Sequence, residues 1–245
     1  MINKKAMLDI IPVPLLRLLR GIKGAYLRII AGARSNADIF AEIYARNRWG
    51  GKPGEYYSGT GSDSERSGPY IAALATFIES NGIREVVDIG CGDFRVGAEL
   101  LQATSIEKYI GIDVVGALIE HNRERFANER IKFECLDACR SELPAGELCI
   151  LRQVLQHLSN SEIKVILQKV RANYRFVLIT EHHPIRTADF KANRDLVHGA
   201  SIRNKIQSGV FPQLPPFDFP DPEILVEVEA WNCPEEKIVT MLFRF

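Results

Sequence analysis

No apolar run in the 245 residues approaches the ~20 needed to cross a bilayer. A membrane-spanning segment is therefore not what organises this chain. One-sided charge is missing as well. With 31 basic residues against 31 acidic ones, the chain as a whole offers no electrostatic footprint for a nucleic acid. Cysteine is scarce: the five present (Cys91, Cys135, Cys139, Cys149 and Cys233) are odd in number. They sit mostly in strand-like or glycine-loop positions, which points to reduced thiols in an intracellular setting rather than a disulfide framework. Cys135 and Cys139 have no second pair near them, so a structural zinc site is not expected. Internal repeats and low-complexity tracts are absent too. The length suits one α/β domain with appendages.

What is present centres on Val86-Val87-Asp88-Ile89-Gly90-Cys91-Gly92-Asp93-Phe94-Arg95. Residues 86–89 have the profile of a buried strand, a tight glycine turn follows, and a helix is expected from Val96. Glycine at 90 and 92 permits positive φ and lets a ligand approach the main chain. The helix N-terminus adds unpaired N–H groups at the same spot. The pattern predicts a cofactor crevice at the carboxyl end of a parallel strand. Arg95 stands where a dinucleotide fingerprint has its third glycine, and Asp88 precedes the first glycine by two residues.

This stretch resembles the first motif of the class I S-adenosylmethionine-dependent methyltransferases. A pyrophosphate needs a bare helix N-terminus. Adenosylmethionine has no phosphate and carries an ammonium and a sulfonium, so carboxylates at Asp88 and Asp93 suit it better. The resemblance covers most of the chain from about Tyr44 and implies S-adenosyl-L-methionine as cofactor.

Along the chain, residues 1–34 hold a basic amphipathic stretch. Leu15, Leu18, Leu19, Ile22, Tyr26, Ile29 and Ile30 share one helical face, with Arg17, Arg20 and Arg28 on the other. Arg17, Arg20, Lys23 and Arg28 also interrupt any signal-peptide core. The face has two expected occupants: the domain itself or a second subunit, giving a homodimer, and an anionic membrane surface touched through residues 15–30. The expected location is cytoplasmic, with peripheral contact to the inner face of the membrane left open. Residues 35–66 combine a short helix around Phe40, Ile43 and Tyr44 with glycine-rich, aromatic loops, the composition of a lid. The resemblance places Trp49, Gly59, Gly61 and Ser62 of this segment near the cofactor.

From residue 67 to 245 a helix over 67–82 leads into regular strand–helix alternation. Strands are expected at 86–89, 108–113, 131–135, 148–154 and 175–182, with helices between. Residues 184–222 break the rhythm with six prolines. Two strands, 223–229 and 237–245, then close the chain. The predicted fold is a Rossmann-like, seven-stranded mixed sheet with helices on both faces and an antiparallel C-terminal hairpin. By resemblance, the 184–222 insert builds the acceptor pocket.

Asp113 ends the second predicted strand, where a carboxylate accepts ribose hydroxyls, and Val114 beside it is placed to pack on adenine. The resemblance assigns Asp137 to the adenine amino group. Cys91, Ala138 and Gln153 complete the expected cofactor contacts. The fourth strand lacks the Asn/Asp-Pro-Pro-aromatic run of amino-methylating nucleic-acid enzymes and the Pro-Cys of cytosine enzymes. Its Val154-Leu155-Gln156-His157-Leu158 instead resembles enzymes that act on small hydroxylated molecules. A small-molecule acceptor, for example a glycosyl unit of a surface polysaccharide, is therefore expected, with O-methylation the reaction and no nucleic-acid partner.

The alternatives are a nucleic-acid or protein methyltransferase, or a catalytically inactive subunit that keeps the fold. His157 is the first candidate base, against a histidine merely bonded to backbone, and His182 and His183 are the second candidates. Glu181, His182, His183, Asp189 and Asp195 form a set that could hold a divalent cation, although no metal is expected. Arg194 is the candidate fork for an acidic group on the acceptor, with Asp195 and Arg203 beside it. The competing role for Arg194 is a salt bridge within the insert.

Overall fold

The computed structural model describes residues 34–230 and 233–245. The amphipathic stretch at 15–30 lies outside the described residues. The chain divides into two compact units, Met1–Ser35 and Asn36–Phe245, and the sheet belongs to the second.

Seven strands form one sheet in the order β3-β2-β1-β4-β5-β7-β6. They are β1 (Glu85–Ile89), β2 (Lys108–Asp113), β3 (Ile131–Cys135), β4 (Leu148–Arg152), β5 (Phe176–His183), β6 (Glu223–Ala230) and β7 (Cys233–Arg244). The first five run parallel, and β7 lies antiparallel to both β5 and β6. From β1 the chain moves outward to β2 and later returns on the other side as β4. The carboxyl ends of β1 and β4 therefore flank a switch point, the place where parallel sheets open a crevice.

Helices α1 (Asn36–Ala45), α2 (Ser64–Ser80), α3 (Arg95–Ala103), α4 (Gly116–Phe126) and α5 (Asn160–Asn173) surround the sheet. Strand alternation sends Val87, Cys149, Leu151, Val177 and Ile179 to one face, where they pack with Ile163, Ile166, Leu167 and Val170 of α5. Val86, Leu148, Ile150, Phe176 and Leu178 go to the other, under Tyr70, Leu74, Phe77 and Ile78 of α2. Helix α5 starts on a reciprocal cap. Ser159 accepts the Glu162 N–H, and the Glu162 carboxylate, 2.8 Å away, accepts the Ser159 N–H.

Strand β4 is shorter than the apolar run 148–154 suggests. Gln153 takes φ 56° and donates its N–H to the Thr180 carbonyl at 2.7 Å, which turns the chain into a short 3₁₀ turn at Leu155–His157. Helix α2 likewise starts three residues early, capped after Asp63.

Candidate active site

The glycine turn is locked to the second strand. The Gly90 and Cys91 N–H groups both donate to the Ile112 carbonyl, at 2.8 and 3.1 Å. Gly90 has φ 73° and Gly92 φ 56°. A Cβ on Gly90 would stand 2.5 Å from Val154 Cγ2, and one on Gly92 would collide with Ser58 Oγ. Both glycines are thus required by protein packed against them, Val154 after β4 and Ser58 of the lid segment. The positive φ expected at both positions is present, and packing against Val154 and Ser58 adds a reason that the local sequence did not announce.

Three acidic residues at three strand ends line one cavity with the turn: Asp88, Asp113 and Asp137. Asp113 accepts the Gly92 N–H at 3.2 Å on one oxygen and the Val115 N–H at 3.0 Å on the other. A carboxylate has about four lone-pair sites, so acceptor capacity remains for a ligand. Burial raises its pKa from the ordinary value, and the backbone N–H groups oppose that rise. Asp88 accepts the Tyr109 hydroxyl at 2.6 Å, and burial pushes its pKa up to about 6. Asp137 accepts the Cys139 N–H at 2.9 Å and has Arg140 3.7 Å away.

Asp93 also lines the cavity, but its oxygens serve the lid. They accept the Ser58 N–H at 2.9 Å, the Ser62 hydroxyl at 3.4 Å and the Arg95 N–H at 3.3 Å. In return Ser58 Oγ accepts the Asp93 N–H at 2.8 Å and meets the Tyr44 hydroxyl at 2.9 Å. Arg95 pairs with Glu55 at 2.7 Å, and Tyr57 donates to Asp63 at 2.9 Å. The segment 55–63 is therefore latched onto the first turn of α3, and a carboxylate seals that helix N-terminus against an anion.

The remaining expected cofactor residues, Trp49, Gly59, Gly61, Ser62, Cys91, Val114, Ala138 and Gln153, all line the same cavity. Trp49 meets the Tyr44 ring edge-on at 5.2 Å, and its indole N–H has no partner among the described residues. A Cβ on Gly61 would strike the Gln153 side chain at 2.5 Å.

The histidines separate. His157 lines the cavity, but its Nδ1 lies 3.1 Å from the Gly199 carbonyl and its ring packs 5.2 Å from Trp49. Burial pulls its pKa down to about 4, so it is neutral and a weak base. His182 lines the cavity with Nε2 2.7 Å from Glu236 Oε2, close to the carboxylate but off a good hydrogen-bond axis. His183 points to the opposite face of β5, stacked 4.2 Å from the Phe211 ring with Nε2 3.0 Å from the Val210 carbonyl. The alternation of a strand is the reason: adjacent residues cannot face one rim. His183 is corrected from candidate base to packing residue.

The insert residues expected to bind the acceptor do not line the cavity. Arg203 is fully buried and donates to the Leu158 carbonyl at 2.6 Å and to the Arg194 carbonyl. Arg194 turns its guanidinium to the Asp189 carbonyl at 2.5 Å. Asp195 accepts the Asn160 N–H at 2.8 Å, at the start of α5. These three are corrected to structural roles. Glu181 is buried too, accepting the Leu155 and Gln156 N–H groups at 2.9 and 3.2 Å. With each of these bound elsewhere, the carboxylate–imidazole set does not converge, and the described residues hold no metal-binding group of three or more.

The cavity holds about 840 Å³, in the range of ligand sites. It extends past the glycine turn to Thr180, Val226, Val228, Ile238 and Thr240 on the upper β5-β7-β6 sheet. Arg152, absent from the expected site, lines it at the end of β4. Its guanidinium lies 5.0 Å from the Tyr70 ring centre and donates to the Gly61 carbonyl at 2.6 Å. One charged residue closing an apolar strand run was the visible sign.

Residues 86–175 match the methyltransferase domain family. A 66-residue stretch is 30% identical to a malonyl-[acyl-carrier protein] O-methyltransferase of Acetivibrio thermocellus, covering 27% of this chain and 23% of that relative's length. Among solved structures, magnesium protoporphyrin IX methyltransferase from Synechocystis, with bound S-adenosylmethionine, aligns at TM-score 0.52 and 14% identity over 86% of this chain and 98% of that one. The N-methyltransferase NodS of Bradyrhizobium japonicum, with adenosylhomocysteine, aligns at 0.51 and 15% over 74% and 88%. The [4+2]-cyclase SpnF aligns at 0.51 and 16% over 84% and 93%. Residues 86–175 thus resemble a methyltransferase domain, and the seven-stranded sheet has the fold seen in these solved structures. No helix among the described residues is long and apolar enough to cross a membrane.

Proposed function

We propose that the protein transfers a methyl group from S-adenosylmethionine to a hydroxyl of a small acceptor. One observation carries this reading: the carboxylates ending β1, β2 and β3 line a single cavity beside a helix N-terminus already sealed by Asp93. That combination suits a cationic, phosphate-free nucleoside. The residues present fit each part of it. Asp113 has acceptor capacity for a ribose diol. Val114, Leu136 and Ala138 offer an apolar bed for adenine, with Asp137 beside them. Asp88 suits the ammonium, and Arg152, whose Nε lacks a partner among the described residues, suits the carboxylate. When bound, the cofactor supplies an activated methyl group; the chain's residues position the acceptor and hold its proton.

The expectation of a sugar acceptor came from the resemblance of the Val154–Leu158 run, and no polar subsite of the insert supports it. Arg194, Asp195 and Arg203 are bonded within the fold, and Phe217 and Phe219 are buried in the core. We therefore keep the hydroxylated small molecule and set the glycan aside as a specific choice. The fold also serves a protein described as a cyclase, so cofactor binding and methyl transfer need separate proof. The test is transfer of radiolabelled methyl from S-adenosylmethionine to a panel of small alcohols, phenols and sugars. Labelled product supports the reading; cofactor binding without transfer to any of them supports a non-transferring role.

A further inference from the structure

The upper part of the β5-β7-β6 sheet forms a strip of the cavity not used by the cofactor residues. Cross-strand pairing aligns His182 with Ile238 and Thr180 with Thr240, and then Val228 with Ile238 and Val226 with Thr240. All six residues line the cavity. Thr180 and Thr240 satisfy each other through their hydroxyls at 3.0 Å, which leaves the strip largely aliphatic. His182 is the one proton-accepting side chain on it. Behind it, Glu236 of β7 stands 2.7 Å from Nε2 and is itself held by Asn204 at 2.9 Å.

Resting on the methyl-transfer reading, we infer that this strip seats an acceptor whose hydroxyl is carried on an apolar skeleton. His182 receives the hydroxyl proton, and Glu236 is the positioning residue that orients the imidazole. The Glu236 carboxylate, 2.7 Å from Nε2, favours a proton on that nitrogen by charge, which leaves the lone pair on Nδ1. The balance is complete. The acceptor's O–H proton passes to His182, the oxygen lone pair forms the bond to the methyl carbon, and the carbon–sulfur pair remains on sulfur. His182 then releases the proton to water. The other charged groups at this end are Lys205 and Glu229 of the cavity wall, with His183 beyond the strand.

The test uses the whole chain and three variants. Adenosylhomocysteine affinity, read by calorimetry, stays within about twofold of wild type in His182→Asn and Glu236→Gln, because neither residue belongs to the cofactor half. Radiolabelled transfer is then measured to 2-naphthol, cyclohexanol and glucose. The aromatic and alicyclic alcohols exceed glucose by about tenfold or more, the worth of burying a small apolar surface. His182→Asn loses turnover on the order of 10²-fold, while His157→Asn loses much less. In Glu236→Gln the acid limb of kcat/KM moves to lower pH, since the carboxylate raises the His182 pKa against the burial that lowers it. Transfer to glucose alone or to none of the three, unchanged turnover in His182→Asn, or an unmoved acid limb each overturns the inference. Failure of the wild type to bind adenosylhomocysteine overturns the methyl-transfer reading instead.

Discussion

Asp113 is held by the backbone before any ligand arrives, since the Gly92 and Val115 N–H groups fix both of its oxygens. A carboxylate oriented in this way loses little freedom when it accepts a further hydroxyl. Asp113→Ala is accordingly expected to weaken adenosylhomocysteine binding by about 1–3 kcal/mol, the value of charge-assisted hydrogen bonds. Calorimetric titration of the variant checks it, and an unchanged affinity would remove Asp113 from the site. His157 and His183 couple stability to pH. Burial brings both to about pKa 4, below the ordinary 6.5, so the unfolded chain takes up protons that the folded chain refuses. Their contribution to stability is present above pH 6.5 and is lost as pH falls toward 4. The slope is about 1.4 kcal/mol per pH unit for each. Denaturant unfolding of wild type and His183→Asn across that window should show a shallower fall in the variant; parallel curves would mean His183 is not buried neutral.

At the scale of elements, the first turn of α3 and the lid segment behave as one piece. Gly92 is the hinge of that arrangement, with left-handed backbone and Ser58 Oγ where a Cβ would go. Gly92→Ala adds strain and expels Ser58, which also frees the Asp93 N–H and the Tyr44 hydroxyl. We expect it to destabilise the fold by about 1–3 kcal/mol and to speed amide exchange over residues 55–63. Unaltered exchange there would contradict the latch. The insert is likewise organised by one residue. Asn193, at φ 54°, accepts the Phe211 N–H at 2.8 Å and donates to the carbonyls of Phe211, Leu214 and Pro215.

These elements also mark how far the sequence could be read. The strand–turn–helix at 85–103 and the strand ends at Asp113 and Asp137 were legible, because period and spacing are local properties. The latch was not, since Ser58 and Asp93 lie 35 positions apart and their types fit many loops. Arg194, Asp195 and Arg203 looked like ligand residues because an isolated charge in an insert reads as exposed. In fact Arg203 is buried by carbonyls that no sequence pattern announces.

At the scale of the whole molecule, the sheet order puts two different jobs on one edge. The parallel half, β3-β2-β1-β4, brings carboxylates to one end of the cavity, and the antiparallel β5-β7-β6 half lays an aliphatic strip at the other. If the first of these ends receives adenosylmethionine, calorimetric titration of the intact protein with adenosylhomocysteine will show it. Binding in the micromolar range, abolished or weakened in step by Asp113→Ala, is the result predicted. No measurable heat with adenosylhomocysteine or with adenosylmethionine, from protein whose unfolding is cooperative, would contradict it.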